Sequence, residues 1–165
     1  MPTFNNDCPV PSDQQPFNEY LNLKKTSLFS QFNISVKQYI YKILATFIYL
    51  FCFLGFVLSF LMIYNIKFIK IFTLDFILVD IILICVFLRL YLSWSYISKR
   101  LLSATIFYEE SGWYDGQVWV KTSDIMVRDR LIGLYQVIPF LKRIKYTLLV
   151  FIINLYFHYY LYSLF

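Results

Sequence analysis

Histidine occurs once in this chain, at position 158, and the three cysteines, Cys8, Cys52 and Cys85, form no CxxC pair. A zinc motif and a dithiol redox motif therefore have no support. Basic residues exceed acidic ones by five, yet they flank apolar runs and never condense into a stripe, which argues against nucleic acid as a partner. An apolar core near the start, as a secretory signal peptide needs, is missing too. Forty-two residues carrying Lys24, Lys25, Lys37 and Lys42 come first, so the first apolar run is expected to stay on as an anchor. The opening is not acid-poor, since Asp7, Asp13 and Glu19 fall within the first twenty residues, and this departs from an organelle transit peptide. Only 15% of residues are charged.

What fills the space is apolar and aromatic. Hydrophobic residues make up 59% and aromatic residues 22%, against an apolar share of roughly 45–50% in ordinary globular domains. The bias is uneven: isoleucine occurs 20 times and alanine twice, lysine outnumbers arginine 10 to 5, and Phe and Tyr together reach 33. This is the skew of an AT-rich coding sequence, as in an organellar genome or an AT-rich bacterium.

The placement of the apolar residues points to an all-α membrane protein with three transmembrane helices. Residues 1–42 form a polar N-terminal segment. Ile43 to Tyr64 is an unbroken run of 22 uncharged residues, about 33 Å of helix against a hydrocarbon core of about 30 Å. A second span, 73–96, is interrupted by Asp75, Asp80 and Arg89. Charges at bilayer depth cost about 2.5–3.5 kcal/mol on insertion scales, so Asp80 and Arg89 should face other helices or snorkel to an interface. Nine positions apart, they lie on opposite helix faces and cannot bridge each other. The third span, 146–165, ends in an aromatic belt, Tyr156, Phe157, His158, Tyr159, Tyr160 and Tyr162.

With three spans, the N-terminal segment and the loop 99–145 share a side. Together they hold 12 of the 15 basic residues, whereas the opposite side has Lys67 and Lys70. The positive-inside rule puts the N-terminus and the loop in the cytoplasm or its organellar equivalent, the stroma. Within the loop, Ala104 to Lys121 alternates β-branched and aromatic residues around Ser111-Gly112 and Asp115-Gly116, the pattern of a short hairpin. Thr122 and Ser123 then offer N-caps to a helix that Pro139 should interrupt. Val127, Leu131, Leu134 and Ile138 share one of its faces, opposite Asp129, Arg130, Gly133 and Gln136, making it an amphipathic helix laid on the membrane or on a neighbour.

Two segments look specific. Cys8, Pro9, Val10, Pro11 and, further on, Pro16 form a proline-rich strip with few backbone donors, suited to another protein's groove or simply a disordered tail. Cys8-Pro9 alone is weak evidence for haem regulation. Phe107 to Trp119 interleaves Tyr108, Glu109, Glu110, Trp113, Tyr114, Asp115 and Trp119 with glycines. Adjacent carboxylates suggest metal or acid–base chemistry, but no His or Cys stands nearby to complete a site. Aromatics among acids and glycines are better suited to partner contact, with seating on the membrane surface as the plainer account. Gly55 and Ser59 make a small-xxx-small pair of the kind used in helix packing. His158 is able to ligate haem or a pigment metal, but an interfacial hydrogen bond is the simpler role.

In these segments the chain resembles the hypothetical chloroplast open reading frame thirty-six family. The resemblance rests on Cys8-Pro9-Val10-Pro11 with Gln15-Pro16 and Glu19-Tyr20, on Tyr108 through Gln117 with Trp119 and Lys121, and on Arg128-Asp129-Arg130-Leu131, so it covers nearly the whole chain. It implies a photosynthetic organism, a plastid or thylakoid membrane, and a role in photosynthetic physiology or biogenesis. Taken with the absence of a catalytic constellation, the expectation is a non-enzymatic accessory or assembly factor. It would need no cofactor or metal, have a stromal N-terminus, and hold a photosynthetic complex subunit or assembly protein as partner. A small oligomeric transporter, motivated by Asp80 and Arg89, and a pigment- or haem-binding protein, motivated by His158, are the alternatives.

Overall fold

Along the middle of the chain the buried residues recur with a 3–4 alternation: Asp80, Leu83, Phe87, Leu90, Trp94, Ile97 and Leu101. That spacing keeps one seam of a helix turned inward over many turns. The computed structural model describes residues 9–25, 35–62, 68–109 and 116–164. The seam belongs to α3 (Phe68–Leu102), which follows α1 (Pro16–Lys25) and α2 (Val36–Met62). Two short strands come next, β1 (Thr105–Tyr108) and β2 (Gln117–Val120), then α4 (Ser123–Ile132) and α5 (Ile138–Leu164). Three helical runs are long and apolar enough to cross a membrane: Val36–Leu61, Phe68–Leu102 and Ser123–Leu164. At 35 residues, α3 is about 52 Å long and outlasts a hydrocarbon core of about 30 Å.

The chain divides into two compact units. One gathers α2, α3 up to Leu92 and the chain from Lys142 onward. It holds a partly exposed aromatic cluster, Phe47, Phe51, Phe72 and Phe76, with ring centroids 4.6–6.3 Å apart. Phe87 stacks on Phe151 at 5.8 Å, and the Tyr39 hydroxyl lies 2.7 Å from Thr147 Oγ1, tying α2 to α5. Ile48, Phe53, Phe60, Leu88, Leu92, Val150 and Ile153 are exposed on the outside, the all-round apolarity expected of helices solvated by lipid.

The other unit gathers the N-terminal residues with 93–141. The described part of the first 29 residues thus folds with the loop. The strands pair antiparallel, with Thr105 opposite Val120 and Tyr108 opposite Gln117.

Pro139 does not end a helix as the sequence suggests. A π turn, Gly133–Val137, joins α4 to α5, and the Ile138 N–H bonds the Gly133 carbonyl five residues back. Proline cannot donate, and its ring crowds the carbonyl four residues earlier; the widened turn just before it absorbs both problems, so the helix runs on. The expected third span is the continuation of the amphipathic helix rather than a separate element. Thr122 does occupy the N-cap of α4, but its side chain makes no capping bond. Neither expected face turns inward as a whole: Asp129 of α4 and Gly133 and Val137 of the π turn are buried, whereas Arg130 and Gln136 are exposed. Val127, Leu131 and Leu134 are exposed. A Cβ on Gly133 would lie 3.2 Å from Leu102 Cδ2, so α4 and the end of α3 approach closely there.

Candidate functional site

The proline-rich strip lies against its own hairpin. After Pro11 the chain makes a 3-10 turn (Ser12–Gln14), and Pro16 takes the first position of α1, where a missing N–H costs nothing. This presents Val10 to the strands, and it is buried with Ile106 and Tyr108 while Trp119 packs alongside. Gln14 completes the join as a backbone mimic. Its Nε2 donates to the Glu109 carbonyl and its Oε1 accepts from the Glu109 N–H, both at 2.9 Å. Gln15 Nε2 donates to the Val10 carbonyl at 3.2 Å.

Arg100, in the last turn of α3, is the hub of this join. Nη1 pairs with Glu19 and reaches the Tyr96 hydroxyl, while Nη2 donates to the carbonyls of Gln14 at 2.8 Å and Phe107 at 3.4 Å. Burial raises the Glu19 carboxyl above its ordinary range, against the opposing pull of Arg100. Beneath lies a fully buried pair. Lys121 Nζ is 2.9 Å from Asp129 Oδ2, an ion pair by distance though off hydrogen-bond geometry, with side chains 0% and 1% exposed. Lys121 also donates to the carbonyls of Arg100 and Leu101 at 2.9 and 3.1 Å, satisfying acceptors that the end of α3 leaves open. Tyr20 donates to Gln136 at 2.5 Å and meets Trp94 edge-on at 6.0 Å. Arg128 sits over the Phe17 ring at 4.3 Å.

The other face of the sheet is bare. Phe107, Val118 and Val120 are 71%, 54% and 64% exposed. The Lys121 N–H bonds the Ala104 carbonyl, which makes 104–121, 106–119 and 108–117 the hydrogen-bonded pairs. Residues 105, 107, 118 and 120 therefore turn their backbone groups to the outer edges. Along the outer edge of β1 the carbonyls are occupied, since Ser103 Oγ donates to that of Thr105 and Arg100 to that of Phe107. On β2, the outward backbone groups of Val118 and Val120 have no partner among the described residues.

Residues 8–150 match the family model described as CGLD27-like, conserved in the green lineage and diatoms 27. The chain belongs to this family. It is 51% identical over 150 residues to the uncharacterized protein ycf36 of Porphyra purpurea, covering 90% of each chain. It is 51% identical over 148 residues to the protein of that designation from Cyanophora paradoxa, covering 86% of this chain and 89% of the relative. The Arabidopsis thaliana protein conserved in the green lineage and diatoms 27, chloroplastic, is 42% identical over 146 residues, 85% of this chain and 43% of its own length. No solved structure matches. The family is thus a plastid one, close to the resemblance read from the motifs, and this member has helices able to span a membrane. The match takes in Val10, Gln14, Glu19, Arg100, Lys121 and Asp129 and stops before Asn154 and His158.

Of the residues singled out from sequence, Pro16 and Tyr108 turn inward, and the Tyr108 hydroxyl donates to Gln117 at 2.6 Å. Trp119 and Pro11 are half-buried, and Pro9 and Glu109 are exposed. Cys8, Glu110, Trp113, Tyr114 and Asp115 lie outside the described residues. Within the strip expected to suit another protein's groove, Val10 is buried against the chain's own strands, while Pro9 stays exposed. Gln14 and Arg100 escaped notice in the sequence. A lone glutamine and a helix-terminal arginine are common at surfaces, and only the fold brings both to one strand.

In the unit of long apolar helices, Asp80 is fully buried and accepts from Asn154 Nδ2 at 3.0 and 3.1 Å; His158 Nδ1 lies 3.2 Å from its Oδ2. His158 stacks on Phe76 at 4.4 Å. The belt position expected for His158 is corrected to a buried one, since Asp80 offers it a partner that lipid cannot. A proton on Nδ1 satisfies the carboxylate and leaves Nε2 as an acceptor. Arg89 is exposed on the outer face of α3, not buried against another helix. Among the described residues no group of three or more His, Cys, Asp or Glu side chains is placed to hold a metal.

Proposed function

We propose that this protein is a non-enzymatic accessory or assembly factor of plastid membranes, the thylakoid in particular, and that it holds a client protein by adding an extended client segment to the free edge of β2. One observation carries the reading: the backbone donors and acceptors of Val118 and Val120 face outward without partners, beside the exposed apolar side chains of Phe107, Val118 and Val120. A bare edge is a template for another strand. Main-chain bonds then provide affinity, and alternate side chains provide specificity. The client fits this edge better than the lipid surface does, because unpaired amides gain nothing from hydrocarbon. The inner face is held rigid by Val10, Gln14, Arg100 and the Lys121–Asp129 pair, so the edge is presented in one shape and little ordering entropy is lost on binding.

The excess of basic residues on the side of the N-terminus and loop supports a stromal position for this edge. A photosynthetic complex subunit, or a protein that assembles one, is the client class this location favours.

Proline tests the reading cleanly. At position 118 the amide points away from β1, so Val118→Pro removes an edge donor and leaves the β1–β2 bonds in place. With a photo-reactive phenylalanine at position 107, native membranes should yield a discrete protein adduct that Val118→Pro abolishes at unchanged protein level. Adducts with lipid alone, or a protein adduct that survives the proline, would overturn strand addition.

A further inference from the structure

A second site lies in the unit of long apolar helices, independent of the hairpin edge. Between α2 and α3 is an open groove of about 430 Å³, lined by Phe51, Phe56, Phe68, Ile71 and Phe72 with Gly55, Ser59 and Asp75, whose outer rim of Phe56, Phe68 and Phe72 is exposed. Its size falls in the range of roughly 300–1,000 Å³ typical of small-molecule sites. Asp75 is 2% exposed, and its carboxylate makes no hydrogen bond or ion pair among the described residues. This differs from Asp80 five residues on, which has both Asn154 and His158. A lone carboxylate at this depth is costly unless something arrives to pair with it.

Gly55 shows that the carboxylate is meant to stand there. A Cβ at that position would come within 2.8 Å of Asp75 Oδ2, closer than real Cβ contacts allow, so any larger residue would push the carboxylate aside. The small-xxx-small pair of α2 thus opens room for an acid. Ser59 spends its proton on the Phe56 carbonyl at 2.8 Å, leaving its oxygen as an acceptor. Every polar atom identified in the groove is an acceptor, and the one charge is negative.

We propose that this groove binds a lipophilic amine, an organic cation that brings an N–H donor to Asp75 and lays its charge among the phenylalanine rings. The ammonium supplies both the missing donor and the missing positive charge, and aromatic faces attract a cation. A bare metal ion fits poorly, because calcium and magnesium seek six or more oxygen ligands and the groove offers Asp75 and Ser59. A neutral alcohol would supply a donor and leave the charge uncompensated.

The test uses the full chain in lipid nanodiscs and a diazirine-bearing dodecylamine as photo-probe, with labelled peptides mapped by mass spectrometry. Labelling should concentrate on residues 51–59 and 68–75. Unlabelled dodecylamine should compete, and dodecanol should do so about tenfold or more weakly, the ratio for one hydrogen bond to a charged group. Asp75→Asn and Gly55→Ala should each lower labelling by a similar factor, one by removing the charge and the other by displacing it. Equal competition by dodecanol, or unchanged labelling in a folded Asp75→Asn protein, would overturn the proposal by marking the groove as a mere greasy surface. The competition ratio needs no variant, so it decides even if both substitutions unfold the unit.

Discussion

Replacing Lys121 with methionine should unfold the hairpin unit far more readily than its position in a short loop suggests. The side chain is completely buried, with Nζ 2.9 Å from Asp129 and donating to the carbonyls of Arg100 and Leu101. Methionine fills a similar volume and supplies no charge. Asp129 would then keep Arg128, at 3.3 Å and partly exposed, as counter-charge, and the Leu101 carbonyl at the end of α3 would lose its donor, while that of Arg100 keeps Ser103 Oγ at 2.9 Å. Removing one member of a buried pair costs about 3–5 kcal/mol, or roughly two to four powers of ten in the folded-to-unfolded ratio. The orphaned Leu101 carbonyl falls within that figure. Adding Asp129→Leu removes the stranded charge, so the double variant should be more stable than Lys121→Met alone by about 1–3 kcal/mol. Denaturant unfolding in mild detergent, followed by tryptophan fluorescence, is the assay. All three tryptophans lie between positions 94 and 119, within this unit. A cost below about 1 kcal/mol for Lys121→Met, or a double variant less stable than the single, would refute the argument that the pair is dry and mutually dependent.

Two further outcomes can be checked directly. Single-cysteine variants at the exposed positions Asp13 and Asp124 should react with an impermeant thiol reagent from one side of the membrane, and a variant at Ser163 from the other; Asp13 and Asp124 on opposite sides would dismantle the three-span topology. Asp80→Asn retains an acceptor for Asn154 and should unfold within about 1 kcal/mol of wild type, whereas Asp80→Leu strands Asn154 and His158 and should cost about 1–3 kcal/mol. If wild-type proteoliposomes carry an ion flux that Asp80→Asn abolishes, transport replaces the assembly role.

The sequence by itself settled whatever depends on local composition. An uncharged run of 22 residues is long enough as a helix to cross a membrane, and the alternation of β-branched and aromatic residues from Ala104 to Lys121 brackets the two strands. The motifs also sufficed to place the chain in its family. Partnerships across large sequence separations were beyond it. Gln14 and Glu109 lie 95 residues apart, Asp80 and His158 78, and no periodicity encodes which distant residue a polar side chain will meet. Asp129 reads as the solvated side of an amphipathic helix until Lys121 is found buried against it, and Pro139 reads as a stop until a π turn is found to precede it. In a proline strip that reads as a ligand for another protein, Val10 is buried against the chain's own strands. Burial and pairing are properties of the folded chain as a whole, and only tertiary structure decides which of its polar groups are spent internally and which, like the edge of β2, are left to meet something else.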